Sequence, residues 1–218
     1  MKQLVLPVPT ENTAAIEGPP HGQWTAADWQ NLPDDGHRYE IINGVLYMST
    51  APSYFHQWII LRLYDFVGAP AQKQGIAYVS VAPIGVFMPN CEPVQPDFVL
   101  VLRANAHIIR DRRIYGVPDL LVEVLSPGSR DYDEGVKKEA YARAGLLEYA
   151  VIDPAERQLR RYRLARPGEL ARPGELARPG VYGAPEIYNA GDSVTFACVA
   201  ALSFVVGELF AGAPDTTV

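Results

Sequence analysis

The sequence predicts one mixed domain, α/β or α+β, built on a single central sheet. Short runs rich in Val and Leu, bounded by Pro and polar residues, read as strands. Two longer segments carry apolar residues at helical spacing. The two kinds of element are mixed along the chain. At 218 residues and 48% hydrophobic, the chain is long enough for one domain with a core.

Residues 1 to about 22 are rich in Pro, Thr, Glu and Gly and read as a flexible N-terminal arm, leaving 23–213 as the single folded domain. The arm's apolar run is too short for a signal peptide and is broken by Pro7 and Pro9. Thr25 with Asp28 resembles a helix N-cap and opens a short helix through Leu32, which Pro33-Asp34-Asp35-Gly36 ends. Tyr39 to Ile42, Asn43-Gly44 and Val45 to Met48 spell a hairpin. Ser53 caps a helix to about Val67, with Phe55, Ile59, Leu63 and Phe66 on its apolar face. Val79 to Met88 reads as strand with a break near Pro83. Two further strands, Pro96 to Leu102 and Leu120 to Ser126, flank an Arg-rich segment. Asp131 to Ala144 reads as a polar helix with Val136, Ala140 and Ala144 on one face, closed by Gly145. A second hairpin turns at Asp153-Pro154, and Val181 to Phe210 holds short strands and a closing turn of helix. Between them, Leu164 to Gly180 repeats Leu-Ala-Arg-Pro-Gly-Glu with a period of six. A Pro and a Gly in every unit oppose helix and strand alike, so the repeat reads as a mobile surface loop, with a flexible Arg-bearing flap over a polyanion as the lesser alternative.

The formal charge of −6 argues against tight nonspecific nucleic-acid binding, which rests on phosphate neutralisation, while leaving room for a local basic patch. Cys91 and Cys198 stand far apart without a Cys-x-x-Cys pair, which disfavours a zinc centre or disulfide framework and fits a reducing cytoplasm. No stretch approaches the roughly 20 apolar residues that span a bilayer.

The chemistry is carried by Asp97 and Glu123, each inside an apolar strand where an unpaired charge is costly. Alternation puts Asp97 on a face with Val99 and Val101, and Glu123 on a face with Leu121 and Leu125. On neighbouring strands the two acids converge on one cation, and oxygen ligands suit Mg²⁺ or Mn²⁺. Lys137 follows Asp133 by one helical turn and either pairs with it on the surface or reaches the acids, where it activates water or stabilises charge on a phosphate. Lys138, about 100° further round the helix, points away. Arg103, Arg110, Arg112 and Arg113 form a basic segment that either contacts phosphates or is a solvated loop. Asp119 reads as a strand-start residue, with an outer-ligand role as the lesser alternative.

Pro96-Asp97, Glu123 and Lys137 together resemble the PD-(D/E)xK nuclease superfamily with its lysine moved, since Leu125 occupies the usual lysine position. Tyr39-Glu40-Ile41-Ile42-Asn43-Gly44, His56-Gln57, Val122 to Pro127, Asp133-x-x-x-Lys137, Tyr141 to Gly145 and Glu148 to Pro154 narrow the resemblance to the Uma-two family, over residues 24 to 210. The resemblance implies a restriction-endonuclease-like α/β fold, a mixed central sheet flanked by helices. It implies Mg²⁺-dependent endonucleolytic hydrolysis of DNA, with RNA not excluded, by a cytoplasmic homodimer. Asp97, Glu123 and the backbone carbonyl of Val124 would hold the metal, and Lys137 from the following helix would act on water. The same pattern marks Glu40 as a further ligand or water-orienting group, and His56 as a catalytic residue rather than a core histidine. The rival readings are a non-catalytic nucleic-acid-binding member and a partner-binding scaffold whose acids are structural.

Overall fold

The computed structural model describes residues 2–3, 6–7, 16–164, 170–172, 175–176 and 180–218. The expectations of a flexible arm and a mobile repeat fall largely outside these residues. Where the start of the chain is described, it meets the first hairpin: Leu6–Pro7 pairs in parallel with Tyr47 and Met48, and the Gly22 and Trp24 amides donate to the Gly44 carbonyl at 2.8 and 3.0 Å. Asn43 and Gly44 both have positive φ, 52° and 71°, as a tight two-residue hairpin requires. A Cβ on Gly44 would lie 2.5 Å from the Gly22 backbone, so a second constraint also selects glycine there.

The expected mixed sheet is six-stranded, in the order Glu186–Tyr188, Gln158–Arg163, Glu148–Asp153, Leu120–Val124, Phe98–Leu102, Ala77–Val81. Leu120–Val124 runs parallel to Glu148–Asp153 and antiparallel to Phe98–Leu102. Beside it stands a second mixed sheet, seven-stranded, which includes Val86–Met88, Cys91–Val94 and the hairpin strands Arg38–Ile42 and Val45–Ser49. The second sheet arises because the break after Val81 does more than interrupt one strand. Ala77–Val81 edges the first sheet, and Val86–Met88 joins the second. Cys91–Val94 escaped the sequence reading because Pro93 demotes a strand interior.

The two faces of the six-stranded sheet bury different partners. Phe98, Leu100, Leu120, Val122 and Ile152 pack with Phe55, Ile59 and Leu63 of the long helix and with Phe196, Phe204 and Phe210 near the C-terminus. Val99, Val101, Leu121 and Val151 pack with Ala140 and Tyr141 and with Ile42, Met88 and Val94 of the second sheet. Alternation thus puts Asp97 and Glu123 on the second face, between the two sheets.

Two helices depart from the sequence reading. The Ser53-capped helix runs past Val67: Tyr54–Leu63 is α, Tyr64–Gly68 widens to a π turn, and Ala69–Lys73 completes it. The widened turn ends two residues before Pro70 and contains Phe66, whose carbonyl the proline ring would crowd in regular α geometry. The Asp131 to Ala144 segment is a π turn, Tyr132–Lys137, followed by α-helix Lys138–Ala144, with Gly145 left-handed at φ 91°. It presents Glu139 and Arg143 to water, yet buries Tyr132, Asp133, Lys137, Ala140 and Tyr141. Among the described residues no helix is long and apolar enough to cross a membrane.

Candidate active site

The antiparallel register pairs Leu120 with Leu100, Leu121 with Val99 and Val122 with Phe98. Carried one step further, it sets Glu123 opposite Asp97. The two acids interlock there: the Asp97 amide donates to Glu123 Oε2 at 3.3 Å, and the Val124 amide donates to Asp97 Oδ2 at 2.9 Å.

Three other elements converge on this pair. From the hairpin, Arg38 Nη1 reaches Asp97 Oδ1 at 3.1 Å. Glu40, on the same strand face two residues on, accepts the Gln95 amide at 2.6 Å and the Tyr132 hydroxyl at 3.0 Å. The long helix brings His56 Nε2 to 3.1 Å from Asp97 Oδ2, its first turn held by the Ser53 hydroxyl. From the helix after the Glu123 strand, Lys137 Nζ lies 2.9 Å from Glu123, 3.2 Å from Glu40 and 3.6 Å from Asp133. Tyr141, one turn on, donates its hydroxyl to the same Glu123 oxygen at 3.1 Å. Apart from Tyr141 and Gln95, these groups line a cleft of about 270 Å³. All five side chains singled out in the sequence, Glu40, His56, Asp97, Glu123 and Lys137, line it, as does Val124.

The family model described as "Putative restriction endonuclease", Uma2, matches residues 26–188, which include every residue of the cleft. The chain belongs to the Uma2 family. The fold agrees: the crystal structure of a putative nuclease belonging to DUF820 from Anabaena variabilis superposes with a TM-score of 0.67. That superposition covers 86% of this Uma2 chain and 97% of the other at 18% sequence identity, a likeness of fold. No curated protein matches the chain.

Electrostatics divides the two central acids of this Uma2 cleft. Burial pushes the Asp97 carboxyl up, but the charge and hydrogen bond of His56, then Arg38 and Lys137, more than offset it and hold Asp97 well below the carboxylate range. Glu123 is equally buried and depends on Lys137, which it shares; with Asp97, Asp133 and Glu40 close by, its carboxyl is pushed well above the usual range. Asp133 is pushed up to about 6, first by burial and then by its acidic neighbours, against Lys137 and a Ser129 hydrogen bond. Burial disfavours the Lys137 ammonium, yet Glu123, Glu40 and Asp133 raise it overall. Four carboxylates therefore share the charges of Lys137, Arg38 and His56.

Donor chemistry bears on the metal. Carboxylate oxygens and an excess of negative charge suit a hard divalent cation. Against this, each oxygen of Asp97 and Glu123 already accepts a protein donor, and among the described residues no group of three or more His, Cys, Asp or Glu is disposed as a metal centre. The donor types fit Mg²⁺ or Mn²⁺, and their present partners would have to yield.

Of the alternatives that the sequence left open, the structure corrects some and agrees with others. The Asp133–Lys137 pair exists but is buried, not on the surface. Asp119 lies outside the cleft lining, accepting the Leu102 amide and the Asn105 side chain, both at 2.7 Å, as a strand-start residue does. None of the four arginines lines the cleft. Arg103 stacks on Tyr78, Arg110 on Tyr115, and Arg113 on Trp29 and Phe87. Lys138 turns away to the Tyr162 ring.

Sequence reasoning missed Arg38, Tyr132 and Tyr141. Arg38 stands two residues before Glu40 on a strand, and Tyr141 four residues after Lys137 on a helix, so alternation and helical spacing both carried a signal. Tyr132 stands five residues before Lys137, a spacing that α geometry does not align and the π turn does.

Proposed function

We propose that this cleft hydrolyses phosphodiester bonds of DNA with Mg²⁺ or Mn²⁺ as cofactor. The observation that carries the reading is a buried lysine ammonium, Lys137 Nζ, 2.9 Å from Glu123, whose strand neighbour is Asp97. Membership of the Uma2 family supports the class of reaction. Asp97, Glu123 and the Val124 carbonyl are the groups that would hold the cation. When bound, it supplies Lewis-acid polarisation of the phosphate and lowers the pKa of an attacking water. Lys137 sets a full positive charge where negative charge grows on the phosphate, its ammonium fixed by three carboxylates. Glu40, held by Tyr132 and the Gln95 amide, orients the water. His56 orients Asp97 through Nε2.

Plasmid and linear duplex DNA incubated with the protein and Mn²⁺ should be cut, and Asp97→Ala should not cut. A folded wild-type protein that leaves DNA and RNA intact with either metal sinks the reading. The rival, a nuclease fold that binds without cutting, draws on the protein donors already seated on both central carboxylates. DNA binding in Ca²⁺ with no cleavage in Mg²⁺ or Mn²⁺ would select it.

A further inference from the structure

Among the described residues, two buried nitrogens of side chains that line the cleft have no hydrogen-bond partner: Arg38 Nε and His56 Nδ1. Three further such atoms, on His37, Gln72 and Arg161, belong to residues that do not line this cleft. An unsatisfied buried donor is costly, and Arg38 Nε–H is a donor in every accessible protonation state. Its guanidinium is anchored at one corner only, by Nη1 on Asp97 Oδ1 at 3.1 Å. Nε–H and the outer N–H of Nη2 form the side-on fork of the same plane, and neither donates to any described residue. Such a fork matches two oxygens of a tetrahedral oxyanion. The Arg38 side chain is 25% exposed while Nε itself is buried, so a ligand in the cleft meets the outer guanidinium and the side chain must shift for Nε–H to join the fork.

We propose that Arg38 is a phosphate-binding residue of this site, receiving two non-bridging oxygens of the substrate phosphate on its Nε–Nη2 fork while Asp97 holds Nη1. This rests on the phosphodiesterase reading and deepens it. The hairpin then contributes one anion-binding group, Arg38, and one carboxylate, Glu40, from a single strand face. Nothing in the basic segment 103–113 is needed to seat the reacting phosphate.

The probe is thymidine 5′-phosphate, titrated calorimetrically into the full chain in millimolar Ca²⁺. Arg38→Lys keeps the charge and loses the fork, so affinity should fall about tenfold, the scale of a lost charged hydrogen bond. Arg112→Lys, at an exposed arginine, should leave affinity unchanged. In the wild type the Arg38 Nε–H resonance should shift saturably with the nucleotide, a readout independent of whether the variant folds. No binding to wild type, no Nε–H shift, or equal affinity in Arg38→Lys each overturns the proposal. DNA cleavage is measured alongside. Nucleotide binding through Arg38 without cleavage removes the nuclease reading alone. Cleavage with unchanged kcat and KM in Arg38→Lys removes the Arg38 assignment alone.

Discussion

Asp133 and Glu134 are neighbours on one turn of helix and enter opposite kinds of charge cluster. Asp133 faces the cleft, where four carboxylates share Lys137, Arg38 and His56. Glu134 turns the other way and meets Arg130 at 3.1 Å, Arg160 at 3.3 Å and the Tyr162 hydroxyl at 2.6 Å. Arg160 and Arg130 also pair with Asp153, whose second oxygen accepts the Ala155 and Glu156 amides, each at 3.1 Å. That outer cluster sets two acids against two arginines. Burial would raise the Asp153 carboxyl, but the backbone donors and the arginines hold it below its usual range. In the cleft the balance fails, and Glu123 and Asp133 are pushed up instead. The outer cluster closes its charge within the fold; the surplus in the cleft is what the proposed cation would offset.

Lys137→Met gives the largest test of this contrast. It strands Glu123, Glu40 and Asp133 without their ammonium, so cleavage should fall by about 10²-fold or more and stability at neutral pH by about 3 kcal/mol. Plasmid nicking and urea melts read the two effects; cleavage at the wild-type rate would remove Lys137 from the chemistry. Asp153→Ala should do the reverse: a loss of about 3 kcal/mol as a balanced pair is broken, with kcat of the surviving folded protein unchanged. A collapse of kcat at constant fold would merge the two clusters into one site.

Mn²⁺ should stabilise the wild type by about 2.7 kcal/mol at a hundredfold excess over Kd, and Asp97→Asn should shrink that shift. Thermal midpoints identical with and without Mn²⁺ would count against the cation. The pH response should also differ between the clusters. Asp133 has a raised folded pKa, so the native state binds the extra proton between 3.8 and about 6, and stability in EDTA should fall as pH rises through that window. Asp153 has a lowered one, so its contribution is present above the ordinary carboxylate range and lost on acidification. Urea midpoints of Asp133→Asn should be flatter across 3.8 to about 6 than those of wild type; an identical slope would assign the titration elsewhere. The smallest effect belongs to Lys138→Ala, which should move stability by no more than about 0.5 kcal/mol and leave cleavage intact.

The strand pair carrying Asp97 and Glu123 was legible because a buried charge inside an apolar run stands out against a period of two. The hairpin was legible because Asn43-Gly44 fits only a tight turn. The second sheet was not: pairing partners such as Val86–Met88 with Arg113–Tyr115 are set by tertiary packing and leave no local pattern. Arg38 was overlooked because its charge at a strand start looks like ordinary solvation until Asp97, 59 positions away, is brought beside it. The burial of the Lys137 helix was hidden by its own polarity, since Asp133 and Lys137 satisfy each other's charge in water as well as in a cleft.

The π turn at Tyr132–Lys137 has a consequence for how this family can tolerate length change. Tyr132 and Lys137 both reach Glu40 Oε2, at 3.0 and 3.2 Å, across a spacing of five residues. Gly135 lies between them with nothing within 4 Å of where a Cβ would be. A deletion there would let the turn relax to α geometry and leave Tyr132 and Lys137 four residues apart, the spacing that an α-helix holds on one face. The helix would survive with the Tyr132 hydroxyl, Asp133 and Lys137 still on one face, so at this point the site can lose a residue as readily as the fold can.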